Sequence, residues 1–171
     1  MSPSTFEELV RQRAKQQKCD GVDWEDRKRW WQIQMRLLLN EVEQWLDPLI
    51  KDQTIEFTRS SVPRSEDLLG LYQIESGLIK LGNEKLELQP VGSVIVGGFG
   101  RVDAKGPNGT AMLLLRAPDP SIAKDKLRDS AQWFIAPPQK PTQLQPLTKD
   151  NFEQTFADLF GLDNQPSLHA F

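Results

Sequence analysis

The sequence predicts an α+β fold. An antiparallel sheet of six to seven strands, arranged as a meander, is packed by a long N-terminal helix and a C-terminal helix on one face. Three observations lead to this prediction. Apolar residues recur at intervals of three and four near residues 24–46 and again near residues 150–161. Short runs of alternating apolar and polar residues lie between these two segments, and turn sequences that contain glycine separate the runs, as in consecutive hairpins.

The first predicted helix covers residues 5–18 and is polar. Thr5 and Glu8 have the spacing of a capping box, in which two side chains bond to backbone N–H groups at the start of a helix. The apolar face of this helix is narrow and consists of Phe6, Leu9 and Val10. We therefore expect residues 1–20 to form a polar and mobile N-terminal helix.

A second, longer helix is predicted to begin after Asp23, a good N-cap, and to keep its regular part up to Leu46. The limit at Leu46 is expected because Pro48 disfavours a helical conformation at the residue before it. After a first gap of seven, the apolar positions are spaced by four and three residues: Trp24, Trp31, Met35, Leu38, Val42, Trp45 and Leu49. Such a heptad stripe predicts packing on a sheet or on another helix.

The middle of the chain is predicted to form strands at residues 54–58, 71–75, 78–81, 85–89, 93–103, 111–117 and 132–136. Gly82-Asn83 has the sequence of a two-residue hairpin, and residues 106–109, GPNG, form another predicted turn. Residues 60–70 and 118–130 are interpreted as connections.

The last part of the chain is predicted to be an extended segment followed by a helix. Residues 137–146 are rich in proline and are expected to be exposed. Asp150 and Glu153 have capping-box spacing, and Gly161 is the expected helix stop. The apolar face of this helix consists of Phe152, Phe156, Leu159 and Phe160.

A chain of 171 residues is long enough for one compact domain. We assign residues 21–162 to a single α+β domain and residues 163–171 to a C-terminal tail. The predicted core consists of Trp31, Met35, Leu38, Val42, Trp45, Ile55, Phe57, Ile79, Leu86, Leu88, Val94, Val96, Leu113, Leu115, Phe134, Phe156 and Leu159.

The composition excludes several classes of function. The net charge of −3 disfavours nucleic acid as the main partner. A single cysteine, Cys19, excludes a disulfide framework and a multi-cysteine zinc site, and the single histidine, His169, lies three residues from the chain end. We therefore expect no metal and no cofactor. No run approaches eighteen apolar residues, and the first residues do not resemble a secretory signal, so a cytoplasmic location is expected.

The stretch Val91 to Gly109, VGSVIVGGFGRVDAKGPNG, contains six glycines and resembles a phosphate-binding loop. A dinucleotide fingerprint requires G-x-G-x-x-G at the start of a helix, but Gly98-Phe99-Gly100 is followed by Arg101-Val102-Asp103 and then by another predicted strand. We interpret the stretch as part of the sheet, whose glycines make room for the tryptophans of the long helix.

Five residues are candidates for binding. Arg101 and Asp103 share one face of a predicted strand, where they form either a recognition pair or a simple ion pair. Arg27, Arg29 and Trp30 combine cations with an aromatic ring, as interfaces and single-strand nucleic-acid binders do. On the helix, the basic residues are expected to point mainly outward.

Two alternatives remain open. One alternative is a metal-dependent nuclease, whose acidic residues and lysine are faintly similar to Glu87, Asp103 and Lys105. This hypothesis requires the three side chains to converge in a cleft. A weak nucleic-acid binder is the other alternative, with a continuous positive surface formed by Arg11, Arg13, Lys15, Lys18, Arg27 and Arg29.

Residues 90–109 fit the pattern P-x-G-x4-G-x2-G-R-V-D-x2-G-P-x-G, and a tryptophan-bearing helix that starts at Asp23-Trp24 precedes them. In this respect the chain, from about residue 22 to residue 161, resembles a family of small bacterial proteins that has no known activity. The resemblance implies a bacterial, intracellular origin and carries over no catalytic residue. The matching positions are Pro90, Gly92, Gly97, Gly100, Arg101, Val102, Asp103, Gly106, Pro107 and Gly109.

No catalytic constellation is visible in the sequence. We therefore expect a non-catalytic protein-interaction module whose partner is another protein or a second copy of the chain, paired through the long helix.

Overall fold

The computed structural model describes residues 3–19, 23–119, 121 and 127–162, and it confirms the α+β fold. The helices are α1 (Pro3–Cys19), α2 (Trp24–Lys51) and α3 (Lys149–Phe160). The strands are β1 (Glu56–Glu66), β2 (Gly70–Leu81), β3 (Glu84–Gly92), β4 (Gly100–Gly106), β5 (Gly109–Arg116), β6 (Gln132–Ala136) and β7 (Gln145–Pro146). Within the described residues they form one antiparallel seven-stranded sheet in the order β1 to β7. The predicted tail, residues 163–171, lies outside the described residues, as do residues 120 and 122–126 of the predicted connection 118–130.

Helix α2 begins as predicted but ends later. The Asp23 side chain caps it by accepting a hydrogen bond from the N–H of Asp26 at 3.1 Å. The prediction that the regular part ends near Leu46 is wrong, because the helix continues through Pro48 to Lys51. Proline lacks one helical donor, but its carbonyl still accepts, and the Asp52 N–H bonds to it at 3.2 Å. The buried side chain of Leu46 also holds this part of the helix on the core.

Strands β1 and β2 form a long hairpin that the sequence did not reveal. Most of the predicted connection 60–70 is strand, because pairing continues from Glu56 opposite Lys80 to Glu66 opposite Gly70, and residues 67–69 form the turn. The predicted short strands at residues 71–75 and 78–81 are one strand. Tyr72 and Ile74 are buried in its first half, whereas Gly77 and Ile79 are buried in its second half. Since side chains alternate between faces, the hairpin buries opposite faces in its two halves, and simple alternation is lost.

The remaining strands follow the prediction more closely. Gly82-Asn83 and Pro107-Asn108 form the two expected tight turns, and β6 has the predicted bounds. The prediction is wrong for residues 93–99, which were expected to be strand. They form a loop that contains one isolated bridge, between Ile95 and Gly98. Residues 137–146 are not simply extended either, because backbone hydrogen bonds close two successive turns there before β7.

Helices α2 and α3 lie on the same face of the sheet, as predicted. The rings of Trp45 on α2 and Phe152 on α3 are 5.3 Å apart. Gly161 ends α3 in the left-handed conformation, as expected. The N-cap is Thr148 and not Asp150, because the Thr148 hydroxyl accepts the Asn151 N–H at 3.1 Å.

Most of the predicted core is buried, but Val94 and Val96 are exposed because their segment is a loop. Trp45, Phe57 and Phe156 are partly buried at the edge of the core. The prediction missed Leu39, Leu46, Leu69, Tyr72, Ile74, Val102, Ala104, Ala111, Ile135, Ala136, Phe152 and Phe160. Among the described residues, no helix has the length and apolar content needed to span a membrane.

Candidate functional site

The β3–β4 loop, residues 93–99, presents aliphatic side chains to solvent. The bridge between Ile95 and Gly98 closes a tight turn around Val96, and the Val96 side chain is fully exposed. Val94 is 40% exposed. Val91, at the end of β3, and Leu68, in the turn after β1, are exposed to a similar degree. We call Leu68, Val91, Val94 and Val96 the apolar rim.

Glu66, the last residue of β1, fixes the start of this loop. Its carboxylate accepts the N–H of Ser93 at 3.0 Å and the N–H of Val94 at 2.9 Å. The Tyr72 hydroxyl donates to the same carboxylate. Burial, together with the neighbouring Glu66, raises the pKa of Tyr72 above its ordinary value, so the phenol remains a neutral donor. These bonds place the end of the β1–β2 hairpin directly beside the loop.

Ser93 joins the two ends of the loop to α2. Its side chain is fully buried, and its hydroxyl donates to the carbonyl of Phe99 at 2.6 Å. The guanidinium of Arg27 donates to the Ser93 hydroxyl and to the Ser93 carbonyl, both at 2.8 Å. The loop is therefore held by a charged group from α2 and by another from β1.

Aromatic rings hold Arg27 in place. Its guanidinium lies 4.9 Å from the ring centroid of Phe99 and 5.7 Å from that of Trp30, and these two rings meet edge to face. Arg128 lies 5.4 Å from the Trp30 ring and pairs with Asp26 at 2.7 Å. Burial and then the neighbouring Arg128 lower the pKa of Arg27, while Glu66 opposes that shift. The expectation that the basic residues point outward is wrong for Arg27, which is half-buried against the loop.

The end of the loop runs into a close contact between helix and sheet. Trp31 is fully buried, and its ring lies against the backbone of Gly100. A Cβ atom added to Gly100 would lie 2.8 Å from Cε3 of the indole. The Phe99 N–H also bonds to the Leu115 carbonyl at 2.7 Å. The predicted contact between an indole and bare glycine backbone is confirmed at this position.

The structure does not bring the other predicted binding residues to the loop. Arg101 and Asp103 form an ion pair at 2.9 Å on β4. They lie on the sheet face opposite buried Val102, and therefore away from the helices. Arg29 is exposed on α2.

The three residues of the nuclease alternative share one face of the sheet. Glu87 is opposite Lys105, and Asp103 is opposite Gln89. The Asp103 carboxylate is paired with Arg101, while the Glu87 carboxylate accepts a bond from the Gln89 side chain. A cleft of about 210 Å³ adjoins Glu87. The described residues contain no group of three or more His, Cys, Asp or Glu side chains that could hold a metal ion. His169 and the side chain of Cys19 lie outside the described part.

Several cations near the N-terminus are paired with acids. Arg11 lies 3.6 Å from Glu7, and Lys28 lies 3.0 Å from Glu25. The side chains of Lys15 and Lys18 lie outside the described part of the chain. Within the described residues, a continuous positive surface is therefore interrupted by carboxylates at these two pairs.

Sequence reasoning found Arg27 and Trp30 but missed Glu66, Tyr72, Ser93 and Phe99. Their roles depend on contacts between distant parts of the chain: 27 residues separate Glu66 from Ser93, and 66 residues separate Arg27 from Ser93. An acidic residue within a polar segment was the only local signal for Glu66. In comparisons with known proteins, no family model, no curated protein and no solved structure matches this chain.

Proposed function

We propose that this protein is a non-catalytic interaction module of the bacterial cytoplasm that binds another protein through the apolar rim. One observation carries the proposal. The β3–β4 loop is fixed by Glu66 and Arg27, and yet it exposes Val94 and Val96 to solvent. Aliphatic side chains held in water on a well-anchored loop are typical of a docking surface.

Preorganisation supports the same proposal. A loop that is already ordered loses less conformational entropy on binding than a free loop does. The anchors that order this loop are polar or aromatic and lie beneath it, whereas the side chains at its tip are aliphatic. Arg27 and Trp30 therefore act on binding indirectly in this proposal, by positioning Ser93 and Phe99.

Self-association through α2 remains part of the proposal, but it cannot use the predicted heptad stripe. The heptad stripe of Trp31, Met35, Leu38 and Val42 is buried under the sheet. A second copy must therefore use the outer face of α2, where Ile33 and Leu37 are about half exposed.

A metal-dependent nuclease remains the alternative, since Glu87 and Lys105 are direct cross-strand neighbours. The ion pair between Asp103 and Arg101 opposes it, because that carboxylate is already neutralised. Magnesium-dependent cleavage of DNA or RNA that is lost in Asp103→Asn would favour the nuclease and contradict a non-catalytic role.

Affinity capture from the native host tests the interaction module. The whole chain is immobilised beside a Val96→Asp variant and a Lys140→Ala control, which alters an exposed residue in the turns before β7. We expect one reproducible partner that binds the unmodified protein and the control, and whose affinity for Val96→Asp is at least about tenfold weaker, since the loss of one central apolar contact is worth about 1–2 kcal/mol. Equal binding to all three chains would rule out the rim as the docking surface.

A further inference from the structure

The outer face of α2 carries an apolar stripe that the sheet does not cover. Trp30, Ile33 and Leu37 are spaced by three and four residues, and so they share one face of the helix. Ile33 is 47% exposed and Leu37 is 53% exposed, whereas Trp30 is partly buried against the loop anchor. We call these three residues the outer stripe.

Helix α1 has an apolar face of matching size that is also uncovered. Phe6 is 61% exposed, Leu9 48% and Val10 53%. Every described side chain of α1, from residue 5 to residue 14, is exposed. A helix of 17 residues with so polar a surface is only marginally stable in water by itself, so contact with a complementary surface would stabilise it.

The spacings of the two faces match when the helices run antiparallel. Along α1, Phe6, Val10 and Arg13 are separated by four and then three residues. Read in reverse, this is the spacing of the outer stripe. In that register Phe6 lies level with Leu37, Val10 with Ile33, and Arg13 with Trp30.

The helix dipoles support the same register. The two dipoles would be antiparallel, with the C-terminal end of α1 beside the N-terminal end of α2. Arg13 adds no attraction at Trp30, because Arg27 and Arg128 already lie 5.7 and 5.4 Å from that ring. Asp26 is likewise already paired with Arg128, at 2.7 Å.

The occupant that fits these observations is a second copy of the chain. The apolar faces of α1 and of α2 are both exposed in the same chain, so α1 does not cover its own α2. A connection of four residues, 20–23, could also close an intrachain helical hairpin in this register. Domain swapping makes the same contacts between two copies, and two-fold symmetry then provides the contact twice.

We propose that two copies of this protein exchange their N-terminal helices, so that α1 of each copy packs antiparallel on the outer stripe of the other. This inference deepens the self-association in the proposed function and rests on it. It does not depend on the apolar rim.

Light scattering during size exclusion tests the self-association. We expect a dimer at micromolar concentration, and we expect Phe6→Ser and Ile33→Asp each to weaken the dimer at least about tenfold, since each substitution removes apolar contact from both halves of the interface. Both side chains are about half exposed in the single chain, so neither substitution should prevent folding. The Val96→Asp variant is the matched control and should remain dimeric. A monomer at all concentrations, or a dimer insensitive to Phe6→Ser, would overturn the proposal.

Cross-linking distinguishes exchange from other forms of self-association. In a Cys19→Ser background, Val10→Cys and Ile33→Cys are introduced into separate chains, which are then mixed and oxidised. We expect a mixed disulfide dimer, because the proposed register brings the two Cβ atoms within bonding range. A pair of Val10→Cys and Glu41→Cys chains, with the second thiol two turns away, should not cross-link. If the first pair forms no bond although the protein is dimeric, exchange is wrong while self-association stands. If a chain with both substitutions forms only an intrachain bond as a monomer, α1 folds onto its own α2 and exchange is again wrong.

Discussion

The two connections that flank β4 are both rich in glycine, but they differ in whether a helix covers them. At the β4–β5 turn, α3 covers the chain: the Asn108 N–H bonds to the Leu159 carbonyl at 2.9 Å, and Gly106 lies beneath Leu159, where an added Cβ would be 2.7 Å from that carbonyl oxygen. At the β3–β4 loop, none of the described helices lies over Val96, which is fully exposed, and Glu66 and Arg27 anchor the chain instead. We call the β4–β5 turn the sealed end of the sheet and the β3–β4 loop the open end. Glycine content does not distinguish the two ends, whereas the groups that anchor them do.

The largest expected effect comes from the junction between the open loop and the core. Gly100→Ala would place a methyl group in the ring of fully buried Trp31, and overpacking of this kind costs about 1–3 kcal/mol. The free energy of unfolding in urea measures the loss. A Trp31→Phe substitution removes part of the indole, so the double variant should lose less than the sum of the two single variants. Additive losses would mean that the ring is not what excludes a side chain at position 100.

The molecule also shows which features could be predicted from the sequence and which could not. The heptad stripe of α2 predicted its buried face because period and burial coincide there, as for Met35 and Val42. The β3–β4 loop was predicted as strand because Val94 and Val96 alternate with other residues as strand residues do. Its real conformation is fixed by bonds from Glu66 and Arg27, which lie far away in the chain, and no local pattern encodes them.

The next largest effect should be confined to the open end. Glu66→Gln replaces a carboxylate that accepts bonds from Ser93, Val94 and Tyr72, and weakening charge-assisted bonds of this kind costs about 1–3 kcal/mol. Hydrogen exchange by mass spectrometry should show faster exchange in residues 93–99. The Asn108 amide, at the sealed end, serves as the internal control. Equal acceleration at both ends would show that the two ends are not anchored independently.

A smaller effect at the open end depends on pH. The pKa of Tyr72 is raised in the folded protein, so the native state holds the phenol proton more tightly than the unfolded state does. The resulting stabilisation is fully present below the ordinary tyrosine pKa of about 10 and is lost as the pH rises above it. Tyr72 is the only tyrosine in the chain, so its absorbance change reports its ionisation directly. We expect a midpoint above the ordinary value, and we expect the stability difference between the wild type and Tyr72→Phe to narrow above pH 10. A midpoint at or below the ordinary value would contradict the buried bond to Glu66.

The smallest effect on stability should come from the tip of the loop, and it is the most informative about function. Val96 is fully exposed, so Val96→Asp should change the free energy of unfolding by less than about 0.5 kcal/mol. Asn108→Ala at the sealed end should cost about 1 kcal/mol or more, since Asn108 donates from its side chain to the Asp158 carbonyl at 3.1 Å. Urea denaturation of the two variants, measured beside their affinities for the captured partner, should therefore give opposite rankings. Asn108→Ala should lose stability and keep the partner, whereas Val96→Asp should keep stability and lose the partner. If Val96→Asp destabilises the fold by as much as Asn108→Ala does, Val96 is a packing residue, and the open end of the sheet has no separate role in binding.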